Sequence, residues 1–60
     1  MPEYEIVVEE TYMFVDEFFY ENRLQIGEEI HLRWKNYLIL RIIHFPGQYK
    51  IRVYVEEKNI

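Results

Sequence analysis

The sequence predicts a mainly β protein: one small domain, residues 1–60, of four or five short strands in a curved antiparallel meander or a small open barrel. Three observations carry this expectation. The run Tyr37–Glu56, Y-L-I-L-R-I-I-H-F-P-G-Q-Y-K-I-R-V-Y-V-E, sets two β-branched and aromatic segments around a Pro-Gly turn. Ile30, Leu32 and Trp34 alternate with His31 and Arg33. The chain has only 60 residues, yet holds six Tyr, four Phe and one Trp and no Cys. Apolar burial, rather than disulfides or thiolate-bound metal, must therefore hold it together.

Each element has its own justification. In residues 4–10, Tyr4, Ile6 and Val8 share one face, and Val7 shares the other with Glu5 and Glu9. This reads as a half-buried strand. Residues 11–20, T-Y-M-F-V-D-E-F-F-Y, are rich in aromatic and β-branched side chains, which favours a second strand. Phe14 with Phe18, and Tyr12 with Val15 and Phe19, also fit helical spacing, so a short helix over 12–21 is the alternative. Asp16-Glu17 marks a bulge or bend if the segment is extended. Glu21-Asn22-Arg23 reads as a loop, and Gly27 breaks the run that follows. Ile30–Trp34 is the clearest third strand, and Lys35-Asn36 reads as its hairpin turn. Strands over 37–45 and 48–56 then flank Pro46-Gly47. That pair suits a type II turn, and because hairpins prefer the mirror types the loop is expected to be wider than two residues.

Setting Phe45 opposite Gln48 pairs Ile42 with Ile51, Leu40 with Val53 and Leu38 with Val55, a continuous aliphatic core face. The other face then carries Tyr37, Ile39, Arg41, Ile43, Phe45, Lys50, Arg52 and Tyr54. It sets Arg41 opposite Arg52, a like-charge pair that asks for acidic partners from the N-terminal half. A one-residue slip would exchange the faces.

The stretch Leu24–Trp34 followed by the long hairpin resembles small SH3-like barrels in outline. Ile26-Gly27-Glu28-Glu29-Ile30 is the kind of phrase that enters their strands. The resemblance is architectural, covers half the chain, and implies an open SH3-like barrel.

Charge divides along the chain. Residues 1–29 hold nine acids and one base, and residues 30–60 hold six bases and two acids, so the halves carry −8 and +4 and the whole −4. Two readings follow: the halves pack and neutralise each other, or a basic face is presented to a partner.

The opening Met-Pro-Glu-Tyr-Glu is acidic and no apolar stretch follows it, so a cytoplasmic protein without membrane association is expected. There is no Ser or Cys, and Thr11 is the one aliphatic hydroxyl. His31 and His44 lack metal-ligand spacing. No catalytic residue, cofactor or metal is expected. The reading is a non-enzymatic protein-interaction or structural module acting as a homodimer, since the hairpin is apolar on both faces. Its expected contacts are Trp34, Tyr37, Ile39, Ile43, Phe45 and Tyr54. The alternative is a small barrel that binds nucleic acid through Arg33, Arg41, Lys50 and Arg52, with Trp34, Tyr37 and Tyr54 to stack on bases. A third idea has Glu3, Glu5, Glu9, Glu10, Asp16 and Glu17 imitating nucleic acid toward a basic protein.

Overall fold

The computed structural model describes residues 1–58. Five strands follow in order: β1 (Glu3–Val8), β2 (Phe14–Phe19), β3 (Glu29–Leu32), β4 (Lys35–His44) and β5 (Lys50–Lys58). They form one sheet, β2-β1-β5-β4-β3, curled into a half-barrel. The mainly β, barrel-like fold expected from the sequence is what forms. One pairing departs from a purely antiparallel meander: β1 lies parallel to β5, from Glu3↔Lys50 to Val8↔Val55.

Residues 12–21 contain no helix; they hold β2 and its flanking turns. A helix there would leave β1 without its outer neighbour. As a strand the segment pairs Tyr4↔Phe18 and Ile6↔Asp16, then shifts register to Val7↔Phe14. The extra residue is Val15, one position before the expected irregularity at Asp16-Glu17. The bulge turns Val15 into the core.

The β4–β5 register differs from the expected one in two steps. The loop is wide: Gln48 N–H donates to the Phe45 carbonyl at 3.0 Å, Gly47 has φ 85°, and the ladder begins only at His44↔Ile51. That is the expected type II turn. The ladder, however, is displaced by two residues, so Ile42 pairs with Val53 rather than Ile51. A two-residue shift preserves the faces. Arg41, Ile43, Phe45, Lys50, Arg52 and Tyr54 thus stay on the convex side. Between Ile39 and Arg41 a bulge then inserts Leu40 and inverts the rest of β4. Tyr37 and Ile39 are buried, Leu38 is half-buried and Leu40 is exposed. The expected placement of Leu38 and Leu40 in the core, and of Tyr37 and Ile39 outside it, is corrected by that one residue.

The β3–β4 turn also moves. It falls at Arg33-Trp34, with Leu32↔Lys35 closing the ladder, instead of at Lys35-Asn36. The shift pairs Ile30 with Tyr37, so both contribute to the concave side, and Trp34 leaves the strand.

The core consists of Tyr4, Ile6, Val15, Leu24, Tyr37, Ile39, Val53 and Val55. Leu24 comes from the β2–β3 connection and plugs the concave side. It is held there because its N–H donates to the Tyr4 hydroxyl at 3.3 Å, while that hydroxyl donates to the Asn22 carbonyl at 3.5 Å. Tyr4 thus buries its ring and still satisfies its polar tip. Gly27, at φ 92°, lets the chain re-enter the sheet: its N–H donates to the Ile39 carbonyl and Ile39 N–H to the Glu28 carbonyl, each at 2.9 Å.

Ile6→Ala should cost about 2–5 kcal/mol, while Leu40→Ser should change stability by less than about 1 kcal/mol. Urea unfolding of both variants checks the inversion at the β4 bulge, because the sequence-derived faces require Leu40 to behave as core.

Candidate functional site

The convex face of β2, β1, β5 and β4 carries alternating charges that neutralise one another. Lys50 Nζ lies 3.0 Å from Glu17 and 3.9 Å from Glu5. Arg52 Nε lies 2.7 Å from Glu5, and Arg41 Nη2 lies 3.1 Å from Glu9. Off this face, Arg33 of the β3–β4 turn reaches Asp16, which lies opposite Ile6, at 3.8 Å. The parallel β1–β5 pairing sets Glu5 beside Lys50 and Arg52 by laying the acidic strand directly beside the basic one. Arg41 faces Tyr54 in the ladder, not Arg52, and its guanidinium sits 4.3 Å above the Tyr54 ring. Arg52 lies 5.1 Å above the Phe45 ring.

These contacts fix the protonated forms. The Lys50 amine is raised above its ordinary value of 10.5, first by its hydrogen bond to Glu17 and then by that carboxylate's charge. The Arg52 guanidinium is raised by hydrogen bonds to the Tyr54 hydroxyl and to Glu5. Arg33, Arg41, Lys50 and Arg52, the four bases of the nucleic-acid reading, therefore each have a carboxylate within 4.0 Å. A phosphate backbone would have to displace these acids, at a protein whose formal charge is −4. Tyr37 is buried in the core and Tyr54 beneath Arg41, so neither ring offers a free face for base stacking.

A different cluster stands out at the end of the sheet where β1 turns into β2 and β3 into β4. Tyr12, Arg33 and Trp34, at φ 59°, 51° and 70°, are the non-glycine residues with left-handed backbone among those described, and all lie in these two turns. Both central residues of the β3–β4 turn need positive φ, a geometry that favours Asn-Gly. Here Arg and Trp occupy it. Such positions cost about 1–3 kcal/mol each and persist where the surroundings over-determine them. The Tyr12 N–H donates to Val8 O at 2.7 Å, and the Tyr12 ring meets Tyr54 edge-on.

The same end displays its largest apolar groups to solvent. Trp34 is 93% exposed, Met13 65% and Phe14 55%. Met13 and Phe14 share a shallow groove of about 360 Å³ with Arg33, Lys35 and Glu57, floored by Val8, Val15 and Tyr37. The Arg33–Asp16 pair draws the β3–β4 turn toward β2.

Of the contacts expected from the sequence, Trp34 is exposed, Ile43 and Phe45 are half-buried on the convex face, and Tyr37, Ile39 and Tyr54 are buried within the chain. No local signal in the sequence marks Met13 and Phe14, because both strand and helix spacing fit residues 11–20. The two histidines lie apart: His31 Nδ1 is 2.7 Å from the Asn36 side-chain oxygen, and His44 borders an open cleft of about 670 Å³ with Tyr4, Leu24, Ile42 and Ile51. Among the described residues no three His, Asp or Glu side chains converge in a way that would hold a metal. Compared with known proteins, the chain matches no family model, no curated protein and no solved structure.

Two outcomes are expected. Replacing Arg33-Trp34 by Asn-Gly should raise unfolding free energy by about 1–2 kcal/mol by relieving left-handed strain. Because the folded state holds the Lys50 proton more tightly than the unfolded chain, the Lys50 contribution is complete below 10.5 and fades as pH rises through the raised value. The urea midpoint should therefore fall less in Lys50→Met than in the parent as pH rises above 10.5, tyrosine ionisation being common to both.

Proposed function

We propose that the protein is a small non-enzymatic interaction module that self-associates as a homodimer, with the end bearing Met13, Phe14 and Trp34 as its contact surface. The observation that supports this is Trp34 itself: the chain's one Trp, almost wholly exposed, on a turn that strains to present it. Trp and Arg are the residues that most often anchor interfaces, and Arg33 stands beside it. Large apolar groups left in water on a 60-residue chain forgo burial that such a small domain needs. A second copy related by a two-fold axis would return that burial without requiring any other partner.

Sedimentation equilibrium over the micromolar range should show mass rising toward twice that of the chain, and Trp34→Ala should hold it at the monomer. The Trp34 fluorescence of the parent should become shielded from iodide over the same range. A monomer at every concentration, or a tryptophan equally quenched throughout, would remove the proposal.

A further inference from the structure

The barrel is open along the seam between β2 and β3, and the two free edges there form a slot of defined chemistry. In an antiparallel pair the hydrogen-bonded positions alternate. Tyr20 N–H donates to Pro2 O at 3.3 Å, which places Phe18 and Asp16 in the hydrogen-bonded phase with β1. Glu17 and Phe19 therefore direct their N–H and C=O groups away from β1, although the Glu17 N–H is taken by Asp16 Oδ1 at 2.8 Å. Across the seam, Ile39 N–H donates to Glu28 O, so Ile30 and Leu32 share that phase with β4, and Glu29 and His31 direct theirs away. No ladder joins β2 to β3 among the described residues. Following the pairings around the sheet, the two edges run antiparallel. Between them lies a groove of about 450 Å³, lined on its inner side by Phe18, Leu24, Ile30 and Leu32. Arg33–Asp16 bounds one end.

We infer that this seam takes an extended segment of a partner protein by strand addition, with aliphatic side chains pointing inward and Lys or Arg outward. The Glu17 carbonyl and the main-chain groups of Phe19, Glu29 and His31 supply the affinity, and alternate side chains supply the selection. The inward half of the pattern follows from the apolar lining. The outward half follows from charge: Glu29 flanks the slot and makes no ion pair among the described residues, and Glu28 beside it makes none either. A second copy is disfavoured as the occupant, because its own free edges, β2 and β3, carry Glu17 and Glu29 outward where the slot calls for Lys or Arg. This site is separate from the Trp34 end and does not depend on self-association there.

The test titrates the full isotope-labelled chain with a capped Lys-Val-Lys-Val-Lys-Val peptide and follows its amides by NMR. Amide exchange at Phe19, or at Glu29 and His31, should slow by about tenfold or more on saturation, as expected for newly paired edge groups. N-methylating alternate peptide amides in the pairing phase should weaken binding by about fivefold per lost bond. Glu29→Lys should weaken it as well, and a Glu-Val-Glu-Val-Glu-Val peptide should not bind. Trp34→Ala should leave the titration unchanged, so the fates of the two sites can be read apart. Equal binding of the N-methylated or the acidic peptide, or shifts confined to Met13, Phe14 and Trp34, would overturn the inference.

Discussion

Everything in this fold depends on β1 lying parallel to β5. Without it, the β4–β5 hairpin would be a ribbon with apolar groups on both sides and nothing to cover either. With it, Tyr4 and Ile6 complete the concave core beside Val53 and Val55, and Val7 lies beside Tyr54 on the convex side. The same pairing settles the charge asymmetry of the chain. The acidic N-terminal strand is set alongside the basic C-terminal one, so Glu5 meets both Lys50 and Arg52. Each of these pairs is partly exposed and individually weak. Their value lies in register: a slip of β1 by one residue would move its carboxylates to the core side and its aliphatic groups into water.

Much of this was legible in the sequence. Alternation in Tyr4–Val8 and Ile30–Leu32, and the Pro46-Gly47 turn, locate real elements. The demand that Arg41 and Arg52 find acids from the N-terminal half is met by Glu9 and Glu5. What the sequence concealed were single-residue irregularities. Val15 and Leu40 are ordinary strand formers, and nothing in their chemistry announces a bulge. The β4 bulge at Leu40 is what turns Tyr37 and Ile39 inward. The Arg33-Trp34 turn was concealed for the opposite reason, since its residues are poor turn formers and its position is imposed by the pairing of Ile30 with Tyr37.

The candidate surfaces follow from where the sheet stops. The central strands bury their concave side, and their convex charges are paired with one another. Unpaired chemistry gathers at the margins: the aromatic turn end, with its left-handed backbone, and the open β2–β3 seam, where no ladder forms among the described residues. Of the residues singled out in the sequence, Arg33, Arg41, Lys50 and Arg52 have carboxylate partners within the chain, Tyr37, Ile39 and Tyr54 are buried, and Trp34 is exposed. Met13, Phe14 and the edges of β2 and β3, on which the two proposals rest, carry no local signature.

The β1–β5 adjacency also sets the order of assembly. Arg52 and Glu5 are 47 positions apart, so the contact that completes the sheet closes the longest loop available. The two hairpins of the C-terminal half are local and need no such closure. They are expected to form the nucleus, with Φ-values high across β4 and β5 and low in β2, which adds only after β1 has docked. A chain built this way spends its search time with the Arg52 row uncovered and the greasy ribbon bare, the interval in which an unfinished molecule is most exposed to misassociation.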